Sequence, residues 1–98
     1  MVELRTINAD NYEECLNLSA SVANADFADP VAWSLAEAWV FYDESRPFAI
    51  YADDVMVGYV SMYIGEDNPQ IINFMIDSPF QKRGYGKDAA RLCVEYLC

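Results

Sequence analysis

Apolar Val2 and Leu4 alternate with charged Glu3 and Arg5 at the start of the chain, so VELRTI (2–7) predicts a strand. Asp10 and Glu13 stand at capping-box spacing and predict a helix through Leu18. SASVANADFADP (19–30) is small and polar and reads as a loop or broken helix. Within it, Asp29-Pro30 offers an N-cap followed by proline at the first helical position. The helix it predicts runs to about Tyr42, with Val31, Leu35, Ala38, Trp39 and Tyr42 on one face, until Asp43-Glu44-Ser45-Arg46-Pro47 stops it.

Three strands are then predicted close together: PFAIYADD (47–54), VMVGYVSMYIGE (55–66) and QIINFMID (70–77). Only the Asp53-Asp54 turn separates the first two, which implies an antiparallel hairpin. A last helix is predicted from Gly84 to Cys98, with Ala89, Leu92, Cys93, Tyr96 and Leu97 facing inward. The order is β-α-α-β-β-β-α, an α+β or mixed α/β layout with a mostly antiparallel sheet. There is no internal repeat, linker or low-complexity tract, so residues 1–98 are expected to form a single domain.

Composition narrows the classes. Apolar residues make up 54% of the chain, with 7 Tyr and 5 Phe, which excludes a disordered polymer. No apolar run approaches the ~20 residues that cross a bilayer, and the start has no charged-then-apolar secretory pattern. Cys15, Cys93 and Cys98 show no CxxC spacing and predict reduced thiols in a cytoplasmic protein. There is no histidine, the commonest metal ligand and general base, and no metal is expected.

The net charge of −10 is unevenly spread. Residues 1–80 hold 14 acids and 2 bases, whereas 81–98 hold 4 bases and 2 acids. An acidic body argues against nucleic acid and for a cationic partner, and equally serves plain solubility. The bases Lys82, Arg83 and Lys87 gather on the glycine loop of FMIDSPFQKRGYGKDAARL (74–92), where an anion would be attracted.

Gly84-x-Gly86-x-x-Ala89 formally matches a dinucleotide fingerprint. Its context is wrong, because hairpin strands precede it and only 12 residues follow Gly86. GxxxxGK[ST] is absent. Two readings stay open: glycines that let a tight turn meet a helix, or an anion cradle at a helix N-terminus, where unpaired N–H groups and the helix dipole favour negative charge.

Gln81-Lys82-Arg83-Gly84-Tyr85-Gly86, after a fourth strand and before an amphipathic helix, resembles motif A of the GNAT superfamily of N-acetyltransferases. FMID followed by a short turn and QKRGYGK is similar to the bacterial diamine or spermine/spermidine branch, as is PFAIYADD followed by MVGYV. The resemblance implies a GNAT-like fold and acetyl-CoA as cosubstrate. It also implies cofactor-binding positions at Phe74, Met75 and Ile76, whose backbone would pair with the pantetheine arm, and at Gln81, Lys82, Arg83, Gly84, Tyr85, Gly86 and Lys87 around the pyrophosphate. The implied reaction is direct attack of a neutral primary amine, a polyamine or similar cation, on the thioester. The backbone N–H of Phe74 or Met75 would serve the oxyanion.

The catalytic side chains stay unassigned. The position matching the histone-type glutamate is Gln70, which takes no proton, and Asn73 replaces the arginine frequent before FMID. Glu66, Asp67 and Asp77 are available carboxylates that read first as turn or strand-end residues and only second as a base, and a water chain to bulk is an alternative. Tyr42, Tyr59, Tyr63 and the two tryptophans are core candidates or an amine pocket, and Asp26, Asp29 and Glu37 are candidate attractors for a polyamine. Relatives continue with a fifth strand and a tyrosine acid, so the chain reads as C-terminally truncated. An uncovered fourth strand then predicts a homo-oligomer through its exposed edge. The alternative function is a non-catalytic CoA binder or assembly partner.

Overall fold

The computed structural model describes residues 1–18 and 30–97. The elements are β1 (Val2–Thr6), α1 (Tyr12–Leu16), α2 (Pro30–Val40), β2 (Ser45–Ala52), β3 (Val55–Tyr63), β4 (Gln70–Ile76) and α3 (Tyr85–Leu97), with one 3₁₀ turn at Ser78–Phe80. The four strands lie in the order β1-β2-β3-β4, and every neighbouring pair is antiparallel. Element order and sheet sense match the expectation from the sequence. Residues 19–29, including Asp26, Asp29 and the expected Asp29 cap, lie outside the described residues, as does Cys98.

The β2–β3 turn is built by Asp53 and Asp54, both left-handed at φ 51° and 71°. Two positive φ values give the twist that suits a two-residue hairpin. Asp54 also receives the Arg5 guanidinium, which Glu3 holds as well. The β1 edge is therefore dressed with charge.

The sheet is covered on both faces. Ile50, Ala52, Val57, Val60 and Met62 pack with Ala89 and Cys93 of α3, joined by Val2, Leu4, Ile76 and Tyr85. Ala49, Tyr51, Met56 and Tyr59 pack with Cys15 of α1 and Val31 of α2. β3 is central, and seven consecutive residues from Met56 to Met62 are buried, as expected of a strand covered on both faces. Gly58 faces β4 so closely that a Cβ there would stand 2.3 Å from the Met75 carbonyl oxygen. Only glycine lets the two strands approach this far.

Several local expectations are corrected. Asp10 and Glu13 do not form a capping box. Instead Asn8 Oδ1 accepts from the N–H groups of Asp10 and Asn11, and Asn11 Oδ1 accepts from the Asn8 N–H at 2.8 Å. Asparagine side chains compete well for nearby backbone donors, and here they take the cap's place. α1 ends at Leu16, short of Leu18, and α2 ends at Val40, short of Tyr42. The inward face of α2 is Val31, Ser34 and Ala38, while Trp39 and Tyr42 are 77% and 65% exposed. β3 stops at Tyr63 and β4 at Ile76. Tyr96 is half exposed, with its ring edge-on to Phe48 at 5.3 Å.

Candidate functional site

β4 is the last strand of the described sheet and pairs only with β3. Its burial alternates, whereas β3 is buried without a break from Met56 to Met62. The phase of its ladder follows from one bond: the Asp77 N–H donates to Val57 O at 2.7 Å. In an antiparallel pair, residues alternately face the partner and turn away from it. Met75, opposite Tyr59, therefore faces β3, while Phe74, opposite Val60, and Ile76, opposite Gly58, turn their N–H and C=O groups to the open edge. The Ile76 carbonyl is taken by the side-chain amide of Gln81, whose Nε2 donates to it at 2.9 Å. The outward groups left to a ligand are the Phe74 N–H and C=O and the Ile76 N–H. Of the two amides that the resemblance implies for the oxyanion, the Phe74 N–H turns to the open edge and the Met75 N–H faces β3.

After Ile76 the chain makes the Ser78–Phe80 turn, closed by the Phe80 N–H on Asp77 O at 2.8 Å. It then passes through left-handed Lys82 and Gly84, at φ 65° and 84°. The first helical bond of α3 runs from the Asp88 N–H to Gly84 O at 3.2 Å. The amides of Tyr85, Gly86 and Lys87 thus have no intrahelical acceptor and carry the positive end of the α3 dipole. α3 is 13 residues long, so the dipole is developed.

Between this helix start and the open edge lies a cleft of about 330 Å³, lined by Phe74, Met75, Ile76, Phe80, Gln81, Lys82 and Gly86. A Cβ on Gly86 would contact the Ile76 and Phe74 side chains at 3.6 and 3.9 Å, so glycine keeps the cleft wall open. The Arg83 guanidinium lies 5.7 Å from the centre of the Phe80 ring, and Phe80 stands 6.5 Å from Tyr85. Tyr85 packs into the α3-side core, whereas Arg83, Gly84 and Lys87 are exposed beside the cleft. Six of the ten positions expected from the sequence line one cleft, and the other four belong to the loop and helix start that close its end. Phe80 was missed. The only signal for it was an aromatic between Pro79 and Gln81.

The amine pocket read as an alternative for Tyr42, Tyr59, Tyr63 and the two tryptophans is not assembled among the described residues. Tyr59 is buried, Trp33 and Trp39 are exposed, and Tyr42 lines a separate groove with Leu35, Ala38 and Trp39. Tyr63 lines another with Glu37, Phe41, Glu44 and Ile72, and a hydrogen bond with Glu44 raises its hydroxyl above the usual tyrosine range. Glu66 and Asp67 sit exposed in the β3–β4 turn, away from the cleft lining. Gln70 begins β4 and is exposed.

A polar chain that sequence reasoning missed lies under β4. Asn73 Nδ2 donates to Ser34 Oγ at 3.0 Å, and Ser34 Oγ shares a 2.7 Å hydrogen bond with the Tyr59 hydroxyl. Burial raises the Tyr59 hydroxyl, while its bonds to Ser34 and Ser61 pull the other way. Ser34 falls three residues after Val31, on the inward face of α2, and that position was its signal. Burial pushes the Cys15 thiol up to about 11 and raises Cys93 as well, so neither is a ready nucleophile at neutral pH. Among the described residues no group of three or more His, Cys, Asp or Glu is placed to hold a metal ion, and no helix is long and apolar enough to cross a membrane.

Residues 3–97 match the family model described as Acetyltransferase (GNAT) family. Among solved structures, the chain is similar to an acetyltransferase from Thermus thermophilus, with TM-score 0.70, 16% identity and coverage of 97% of this chain and 68% of that one. It is also similar to a Bacillus subtilis acetyltransferase in complex with CoA, with TM-score 0.63, 20% identity and coverage of 98% and 56%. A third is AAC(6')-Iy in complex with the bisubstrate analog CoA-S-monomethyl-acetylneamine, with TM-score 0.63, 18% identity and coverage of 98% and 71%. The chain thus spans between about half and three quarters of the length of these structures. No curated protein matches the sequence.

Proposed function

Because the chain belongs to the Acetyltransferase (GNAT) family, a class of acetyl-CoA-dependent N-acetyltransferases, we propose that it moves acetyl from acetyl-CoA to a primary amine, and that the amine is a polyamine or similar cationic small molecule. The observation that carries this reading is the cleft between the open edge of β4 and the start of α3.

The residues fit the cosubstrate. Unpaired amides at Tyr85, Gly86 and Lys87, with the cations of Lys82, Arg83 and Lys87, suit a pyrophosphate. The absent side chain of Gly86 leaves a path along the wall. The outward Phe74 and Ile76 groups suit an amide-bearing arm that adds to the sheet like a strand. Acetyl-CoA supplies the acetyl group activated as a thioester. The chain's own part is to hold it straight along β4 and to present the Phe74 N–H where negative charge develops on oxygen. The acidic body, −10 overall, raises the local concentration of a cationic acceptor. The AAC(6')-Iy complex with CoA-S-monomethyl-acetylneamine supports an amine acceptor in general, whereas the polyamine rests on the FMID and PFAIYADD resemblance.

Calorimetric titration of acetyl-CoA at low salt, followed by a thiol-release screen over polyamines, other primary amines and aminoglycosides, tests this reading. Saturable binding with polyamine turnover supports it. A folded chain that neither binds nor turns over sinks it.

A second reading, assembly through the sheet edge, is favoured by the composition of β4. QIINFMI carries no charge, in contrast to the Glu3 and Arg5 of the β1 edge. A homodimer paired along β4 would compete with acetyl-CoA for the same groups. A monomer mass by light scattering at high concentration rejects it.

A further inference from the structure

The register of β3 with β4 shifts between Ser61 and Met62, whose partners are Asn73 and Ile71. Ile72 is therefore the extra residue of a bulge, and Asn73 closes it. A bulge disrupts the ladder locally and re-aims the groups beside it. The peptide unit joining Asn73 to Phe74 leaves this disrupted stretch, and it carries the Phe74 N–H that turns to the open edge. An edge strand has ladder bonds on one side only, so this plane has no ladder partner on its outward side.

The Asn73 side chain supplies the missing restraint. Its Nδ2 reaches Ser34 Oγ at 3.0 Å, and Ser34 is fixed in turn by the Tyr59 hydroxyl at 2.7 Å. Both anchors are buried, Ser34 at 3% exposure and Tyr59 at 1%. They stand on different elements, α2 and β3, so the amide of Asn73 is held against two rigid bodies. A buried hydroxyl pair with its bonds complete is costly to break, since an abandoned partner keeps its desolvation penalty. Nothing in this chain of bonds reaches the pyrophosphate loop.

We propose that Asn73 is a positioning residue for acetyl transfer: anchored through Ser34 and Tyr59, it fixes the bulge of β4 so that the Phe74 N–H is aimed as the oxyanion donor. This rests on the acetyltransferase reading above. Asn73 itself touches no substrate. Its effect falls on the step in which charge develops, not on capture of the cosubstrate.

The test compares the wild type with Asn73→Ala, Ser34→Ala and the double variant, using steady-state kinetics, acetyl-CoA titration and residue-resolved amide exchange. The expected result is a fall in kcat of about 10- to 100-fold for each single variant. The acetyl-CoA Kd should stay within about threefold, and the double variant should be no worse than the singles, as for residues acting as one unit. Val31→Ala, in the same buried layer but outside the bonded chain, controls for lost stability and should leave kcat unchanged. A wild-type kcat in Asn73→Ala, or an equal kcat loss in Val31→Ala, overturns the proposal. A wild type that binds acetyl-CoA but acetylates no amine removes the acetyltransferase reading, and exchange then decides the positioning. Faster exchange confined to residues 72–75 in Asn73→Ala supports it, and unchanged exchange there overturns it.

Discussion

Gln81 and Ile76 are joined by a 2.9 Å hydrogen bond from the side-chain amide of one to the backbone carbonyl of the other. The bond fastens the start of the glycine loop to the end of β4, and it fills an outward acceptor that an edge strand would otherwise leave to solvent. Gln81→Ala should cost about 1 kcal/mol of stability. It should also weaken acetyl-CoA binding severalfold, because loop and strand no longer hold a fixed spacing. Gln81→Glu, which removes the donor and adds a negative charge beside the cleft, should weaken binding further. Urea unfolding and calorimetry on the two variants check both statements.

Gly86→Leu should abolish acetyl-CoA binding and leave the fold in place. A Cβ at this position meets Ile76 and Phe74 only at van der Waals distance, so the backbone is not strained by it. A leucine side chain would extend into the cleft of about 330 Å³. Unchanged far-ultraviolet circular dichroism with no heat of binding is the expected pair of results.

Gly58→Ala should act in the opposite way, on the fold before the ligand. Its Cβ would stand 2.3 Å from a backbone oxygen of β4, which cannot swing aside as a side chain can. A loss of about 1–3 kcal/mol or more is expected from such overpacking, read as a lower denaturant midpoint. Slippage or detachment of β4 should show as loss of protection at Phe74 to Ile76 in amide exchange.

Alkaline pH should destabilise the chain through Cys15. Its thiol is raised by burial from 9.0 to about 11. The folded state therefore keeps a proton that the unfolded chain gives up, and the stability it contributes is complete below pH 9. That contribution is lost as pH rises through the window up to about 11. Tyr59, also raised by burial, adds to the fall above pH 10. Urea midpoints measured from pH 7 to 11 should decline in this window, and Cys15→Ala should flatten the slope relative to its own value at pH 7.

The strands, the hairpin and the loop-helix junction were legible in the sequence because each depends on local signals: alternation, paired turn aspartates, and glycines before an amphipathic run. Less legible were features decided by neighbours distant in the chain. Trp39 and Tyr42 fit the inward spacing of α2, but the helix ends at Val40 and Ser34 takes the buried place, because Tyr59 and Asn73 offer it hydrogen bonds. The Asp10–Glu13 box failed because the Asn8 side chain takes the Asp10 N–H that Glu13 would have accepted from. Of the candidate site, the glycine loop and the helix it opens were legible as local structure. The direction of each β4 amide was not, since it depends on a register shift opposite Ser61 and Met62 that no pattern in QIINFMI announces.

α3 packs against Val2 and Leu4 of β1 as well as against Ile76 of β4, so the helix that opens at the cleft also ties the first strand to the fourth. Contacts between residues so far apart in sequence cannot form until synthesis has passed α3. Long-range contacts of this kind slow folding, because the loop entropy is lost before they can repay it. The junction of loop and α3 is therefore expected among the last features to mature. A chain halted before α3 would expose the apolar α3-side face of the sheet to its neighbours, which makes the helix as much a guard against misassembly as a support for the site.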